Sequence, residues 1–264
     1  MNKYSGIISL HLLLQQKKKG ILMKKKIVAL LLATSMVVSL SACGGSDSSD
    51  KKSSSESSTQ TTKAKKSKKV ENQDVVLTES GYSINDDGMG DVYAYYGFTL
   101  QNPNTDSASQ FPIVTITAKG DDGSIIATYD QTLYFIAPTD SVSFGSVLDC
   151  NGKTPATVEF SASSGTFVSA KTSGVVPTSS FEVSNTNEIA QEYGDTSYTG
   201  EVTNKSDSDF DNVAITILLK NNGQIVYGDT TYVSDLTAGV TKPFELSEYN
   251  VPEHTEYVIT AQSW

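Results

Sequence analysis

Polar and apolar positions divide the chain into three regimes. From Ile27 to Leu40 the residues are predominantly apolar, preceded by Lys24-Lys25-Lys26 and followed by the small residues Ser41 and Ala42. That run is about 14 residues, short of the 18 or more that would span a bilayer, and its flanks predict a secretory signal over residues 23–42. From Gly44 to Val70 the only aliphatics are Ala64 and Val70. Such a segment buries too little surface to offset its ordering entropy, so residues 43–70 are expected to be a disordered linker. Beyond residue 70 come short runs of Val, Ile, Thr, Tyr and Phe punctuated by Asn, Asp and Gly, which predict an all-β body.

Within that body the pattern repeats. Asp121-Asp122-Gly123-Ser124-Ile125-Ile126 and Asn221-Asn222-Gly223-Gln224-Ile225-Val226 are followed at matching distance by Phe144 and Phe244, with Ile136 answering Leu236 between them. Tyr96 to Asn102 matches Tyr198 to Asn204, and Val158, Phe160 and Ala162 match Tyr257, Ile259 and Ala261. The expected architecture is two tandem immunoglobulin- or fibronectin-like β-sandwich domains, residues 75–168 and 178–264. Lys171-Thr172-Ser173-Gly174 has linker composition between them. Alternation assigns Ala94, Tyr96, Phe98 and Leu100 to one core and Val213, Ile215, Ile217 and Leu219 to the other, with Asp-Asp-Gly and Asn-Asn-Gly supplying positive φ at hairpin turns.

Charge adds a second division. All 20 basic residues are Lys; without Arg, bidentate recognition of phosphate is excluded. Residues 44–70 carry seven Lys against three acids, whereas residues 71–264 carry 6 Lys and 27 acids. A body so acidic repels a phosphate backbone, so no nucleic acid is expected as partner. The basic linker has two readings, attraction to anionic lipid or wall polymer and simple charge-driven solubility.

Leu40-Ser41-Ala42-Cys43-Gly44 resembles the lipobox of bacterial lipoproteins. The resemblance implies that Cys43 is diacylglycerated and becomes the mature N-terminus, and two acyl chains on one residue anchor stably. Residues 1–22 place a weak apolar stretch and a Lys cluster ahead of a complete signal, so translation is expected to start at Met23. In the body, Gly200-Glu201-Val202-Thr203-Asn204, Asp211-Asn212-Val213, Asn222-Gly223-Gln224-Ile225-Val226 and Ala238-Gly239-Val240-Thr241-Lys242-Pro243-Phe244 resemble the FxLYD-type domain of bacterial surface lipoproteins. Leu219-Lys220 and Lys119-Gly120 stand where that family has Tyr-Asp. The resemblance implies a sandwich with no catalytic residues.

Candidate chemistry is sparse. His254, beside Glu253, is expected as a surface loop residue with no nucleophile to serve, and Cys150 as an inert packed thiol. Asn85-Asp86-Asp87-Gly88 with Asp91 departs from the calcium-loop spacing and reads as a solvated acidic turn; Glu188, Glu192 and Asp195 stand near the equivalent place in the second copy. Trp264 falls on the outward phase of the last strand and is expected to cap a sandwich end. No metal and no cofactor are expected.

The one patch nominated for binding is Tyr93 with Tyr95, outward on the strand whose core phase is Val92, Ala94 and Tyr96. The second copy has Asp195 and Ser197 there, so the fold does not require the rings; the competing reading is that they pack against the other copy or a covering loop. The function expected is that of a non-catalytic lipoprotein on the extracytoplasmic face of the bacterial membrane, held there by lipid on Cys43. Its two sandwiches would serve in adhesion, envelope organisation or binding of an envelope glycan or surface protein. The alternative is an accessory, solute- or glycan-capturing lipoprotein of a transport or sensing system.

Overall fold

Alternating β-branched and aromatic residues from residue 76 onward form antiparallel strands in the computed structural model, which describes residues 71–191 and 194–264. The leader, Cys43, the linker to residue 70 and Glu192 lie outside the described residues. In chain order the strands are β1 (Val76–Asp86), β2 (Val92–Gln101), β3 (Ser107–Gln110), β4 (Ile113–Lys119), β5 (Ile125–Thr132), β6 (Phe135–Ile136), β7 (Ser141–Asp149), β8 (Thr157–Ser163) and β9 (Thr166–Ser169). After a helical turn at Ala170–Ser173 come β10 (Phe181–Ala190), β11 (Asp195–Asn204), β12 (Phe210–Asn221), β13 (Gln224–Leu236), β14 (Thr241–Tyr249) and β15 (Glu256–Ser263). The body is all-β, in small antiparallel sheets.

The sheet order is repeated. Sheet β1-β2-β7 faces β5-β4-β8, and β10-β11-β14 faces β13-β12-β15. The first pair encloses Ala94, Tyr96, Phe98 and Leu100 with Val114 and Ile116; the second encloses Val213, Ile215, Ile217 and Leu219 with Tyr198 and Phe244. Both core phases are therefore as the alternation predicts, and each buried aliphatic contributes about 1.5–3 kcal/mol relative to exposure.

The repetition extends to buried polar detail. Asn102 Nδ2 donates to the carbonyls of Ser107 (2.8 Å) and Ile136 (3.1 Å), while its Oδ1 accepts from the Asn104 N–H at 3.1 Å. Asn204 Nδ2 donates to Ser208 (2.7 Å) and Leu236 (3.1 Å), and its Oδ1 accepts from the Ser206 N–H at 3.0 Å. Each fully buried amide ties a strand end to two backbone carbonyls of neighbouring segments, so that its own donors are satisfied in the interior.

The copies differ in two ways. Asn222 (φ 50°) and Gly223 (φ 78°) form a two-residue hairpin with both central residues left-handed. In the first copy only Gly123 (φ 78°) is left-handed, and the turn is longer, with residues 120–124 between the paired Lys119 and Ile125. Moreover, β12 runs unbroken where β3 and β4 are separated at Phe111-Pro112. Proline offers no ladder N–H, and Phe111 takes the left-handed φ of 55°.

The outer face of sheet β1-β2-β7 lies against β12 and β13. Gly81, Gly97 and Gly145 pair across β1, β2 and β7 in one row on the outer face of the first copy. A Cβ on Gly97 would stand 2.5 Å from Leu218 Cδ2, and Cβ atoms on Gly81 and Gly145 would collide with the backbone of Ile225 and Gly228. The row is glycine because the second copy's sheet lies directly on it. In the second copy the same row is Asn187, Thr199 and Glu245, all with side chains.

Strand β12 is buried on both faces in consequence. Ala214, Thr216 and Leu218 are at most 1% exposed, like the core residues between them. Polar contacts finish the seam: Thr216 Oγ1 donates to the Ser143 carbonyl (3.2 Å), the Gly145 N–H donates to Thr230 Oγ1 (3.2 Å), and Lys220 Nζ meets Glu79 at 2.9 Å.

Candidate functional site

Tyr93 and Tyr95 both lie on the outer face of β2, as their phase requires. Tyr95 is half-buried: its ring stacks on Tyr227 of β13, centroids 4.9 Å and planes 20° apart. Tyr93 stands at the rim near Asp91, Asp149 and Asp87; burial and then those charges push its hydroxyl above the usual tyrosine range. The seam therefore brings one of the two nominated rings against the other copy and leaves Tyr93 beside acids.

Behind Tyr227 lies a group of acids. The Tyr227 hydroxyl donates to Glu248 Oε2 at 2.5 Å. Glu248 is neighbour to Asp229, and burial followed by the Asp229 charge raises its carboxyl to about 8; burial likewise raises Asp229. Two carboxyls that share a poorly solvated place cannot both ionise cheaply, so the pair retains a proton near neutrality.

On the neighbouring strands the Tyr198 hydroxyl donates to Glu188 Oε1 at 3.0 Å, and His254 Nε2 lies 2.9 Å from the same oxygen. The His254 side chain is only 12% exposed, which corrects the expectation of a surface residue. Its partner comes from β10, far away in sequence, and its Nδ1 meets the Pro252 carbonyl at 2.9 Å. Glu188 is thereby committed to His254 and Tyr198.

The other candidates resolve simply. Asp86 Oδ1 accepts from the Gly88 N–H (2.9 Å), while Asp87 Oδ1 accepts from Met89 (2.7 Å) and Asp91 (3.1 Å), so these acids shape an exposed turn. Among the described residues no three His, Cys, Asp or Glu side chains are grouped to hold a metal ion. Cys150 is fully buried, and burial raises its thiol. Trp264 stacks on Phe144 of the first copy at 5.2 Å, with the Tyr232 ring 5.5 Å away.

The arrangement best suited to holding a ligand involves residues that sequence reasoning passed over. Phe111 and Tyr134 are 48% and 44% exposed, yet they pack together with Phe135. Centroid separations are 5.8 Å for Phe111–Tyr134, 6.3 Å for Phe111–Phe135 and 4.7 Å for Tyr134–Phe135, the last pair nearly perpendicular. The Phe111 N–H donates to the Tyr134 carbonyl at 2.9 Å, so Pro112 and this bond fix where Phe111 emerges.

Tyr134 and Phe135 border a groove of about 300 Å³, walled also by Ser173 of the connecting segment and by Asp209, Asp211 and Trp264 of the second copy, and Phe111 packs on both rings without lining it. One carboxylate oxygen of Asp209 accepts from the Ala238 N–H at 2.9 Å, and the Trp264 N–H is held by the Asn212 carbonyl at 3.1 Å. Among the described residues no Lys or His lines the groove.

A signal for this site was present in the repeat. The pair equivalent to Phe111–Tyr134 in the second copy is Asn212–Ser234, joined by a hydrogen bond from Ser234 Oγ to Asn212 Oδ1 at 3.2 Å. Aromatic side chains at those two positions are thus an addition to the fold. No family model matches the chain, and no curated protein matches it.

Proposed function

We propose that the protein is a non-catalytic, lipid-anchored surface lipoprotein whose FxLYD-like sandwiches act as a single binding body joined to the membrane anchor through a basic linker. The observation that carries the binding role is the exposed Phe111–Tyr134 pair, standing where the other copy of the fold manages with Asn212 and Ser234. Exposed aromatics that a fold does not need, beside a concave wall, are the kind of surface that anchors a partner. The anchoring role rests on Leu40-Ser41-Ala42-Cys43 and the Lys-rich segment that follows it. The non-catalytic reading is supported by the inventory around His254, which is engaged by Glu188 and Pro252 and has no Ser or Cys nucleophile among its hydrogen-bond partners.

The test is fractionation of cells expressing the full chain. Wild-type protein is expected in the membrane fraction, with a diacylglyceryl adduct on an N-terminal Cys43 by mass spectrometry, and Cys43→Ala is expected to remain an unacylated precursor. A mature N-terminus at another residue, or peptides from residues 1–22, contradicts the reading.

A further inference from the structure

We infer that the groove between the copies is a binding site for a neutral saccharide, with Tyr134 and Phe135 as its stacking surface and the exposed Phe111 ring packed against both at its edge. The inference deepens the binding role proposed above and rests on it only for where in the cell the ligand is met.

The groove's chemistry limits its occupant. Asp209 and Asp211 supply carboxylate acceptors, Ser173 a hydroxyl, and among the described residues no cation lines the walls. A phosphate, sulfate or uronate would meet unscreened negative charge from these acids and from a body with 27 acids against 6 Lys. The ligand must instead supply hydrogen-bond donors, which a polyol does with every hydroxyl. The remaining face of a pyranose is apolar C–H surface, and that is what a ring face accepts.

Size points the same way. A volume of about 300 Å³ lies at the small-ligand end of binding clefts. A stable protein partner would need about 800 Å² on each side, far more than three rings present. The aromatic surface is also built to stay in place. Tyr134 follows the fully buried Leu133, Phe135 precedes the fully buried Ile136, and the Phe111 backbone is locked by Pro112 and the Tyr134 carbonyl. Rings whose rotamers are limited by mutual packing lose little freedom when a ligand stacks on them.

Trp264 makes the site observable, because it is the one Trp in the whole chain and it forms part of the wall. The full-length protein, purified in detergent, is titrated with neutral cello-, chito- and malto-tetraose while Trp264 emission is recorded. At least one of the three is expected to shift or quench the emission in a saturable way. The exchange of the pair for its counterpart, Phe111→Asn with Tyr134→Ser, is expected to weaken that binding by about tenfold or more while the melting temperature stays close to wild type. If the double variant fails to fold, Tyr134→Ser alone is expected to weaken binding in the same direction.

A lysine-rich peptide is titrated in parallel. Silence from all three saccharides, unchanged affinity in the folded variants, or a response to the peptide alone overturns the inference. Because binding is read in solution, it is decided separately from the fate of Cys43 in cells.

Discussion

Tyr95 of β2 lies flat on Tyr227 of β13, centroids 4.9 Å apart, and the Tyr227 hydroxyl donates a hydrogen bond to Glu248. A residue on the outer face of one copy is thereby tied to the polar interior of the other. Tyr93, two residues earlier, has no such ring beneath it.

The pair of tyrosines should therefore separate in a stability measurement. Tyr95→Ala removes an aromatic stack worth about 0.5–1.5 kcal/mol together with the area buried beneath it, so a loss of about 2 kcal/mol is expected in urea unfolding. Tyr93→Ser, at the rim, should stay within about 0.5 kcal/mol of wild type. Equal effects at both positions would mean that the Tyr95–Tyr227 stack does not hold the seam.

The Glu248–Asp229 pair predicts a pH dependence of unusual sign for a carboxyl. The Glu248 pKa is raised in the folded protein, to about 8, chiefly by burial and next by the Asp229 charge, so the native state binds the extra proton. Stability from this group is fully present below the unfolded carboxylate range, about pH 4.5, and is lost as pH rises through about 8. Melting temperature should fall between pH 6 and 9 in the wild type, and Glu248→Gln, which keeps an acceptor for Tyr227, should flatten that fall. A variant with the wild-type slope would place the titration elsewhere.

Much of the architecture was legible along the chain, and the unread part has a common cause. Core phases such as Ala94-Tyr96-Phe98-Leu100 follow from local alternation, and the Asn-Gly hairpin follows from φ preference, so both can be read within a few residues. The glycine row cannot. Gly81, Gly97 and Gly145 are scattered in sequence, and only strand pairing shows that they form one line.

Some of it was nevertheless there to be taken. Val213 to Leu219 is nearly continuous in apolar residues, the mark of a strand buried on both faces, and choosing one phase of it as core left Ala214 and Leu218 unexplained. His254 was misjudged because its partner, Glu188, arrives from another strand. Phe111 and Tyr134 become neighbours only through pairing, although setting them against Asn212 and Ser234 would have marked both as surplus to the fold.

Buried amides give a check on the repeat itself. Asn102→Ala and Asn204→Ala each remove the amide donor from a buried backbone carbonyl, that of Ile136 or Leu236, so each should cost about 1–3 kcal/mol in urea unfolding. Near-equal losses would reflect the same hydrogen-bond role in both copies; a silent Asn204→Ala would show that the second amide does no structural work.

The groove, the stack and the ion pair all depend on the two repeats of the fold being held as one body, and scanning calorimetry of the intact chain tests that directly. The wild type is expected to unfold in a single transition with matching calorimetric and van't Hoff enthalpies. Gly145→Val, whose Cβ collides with the Gly228 backbone, is expected to part the seam and split the endotherm in two, since overpacking costs about 1–3 kcal/mol or more and backbone cannot rotate away. Two independent transitions in the wild-type protein, unchanged by Gly145→Val, would contradict the joined body.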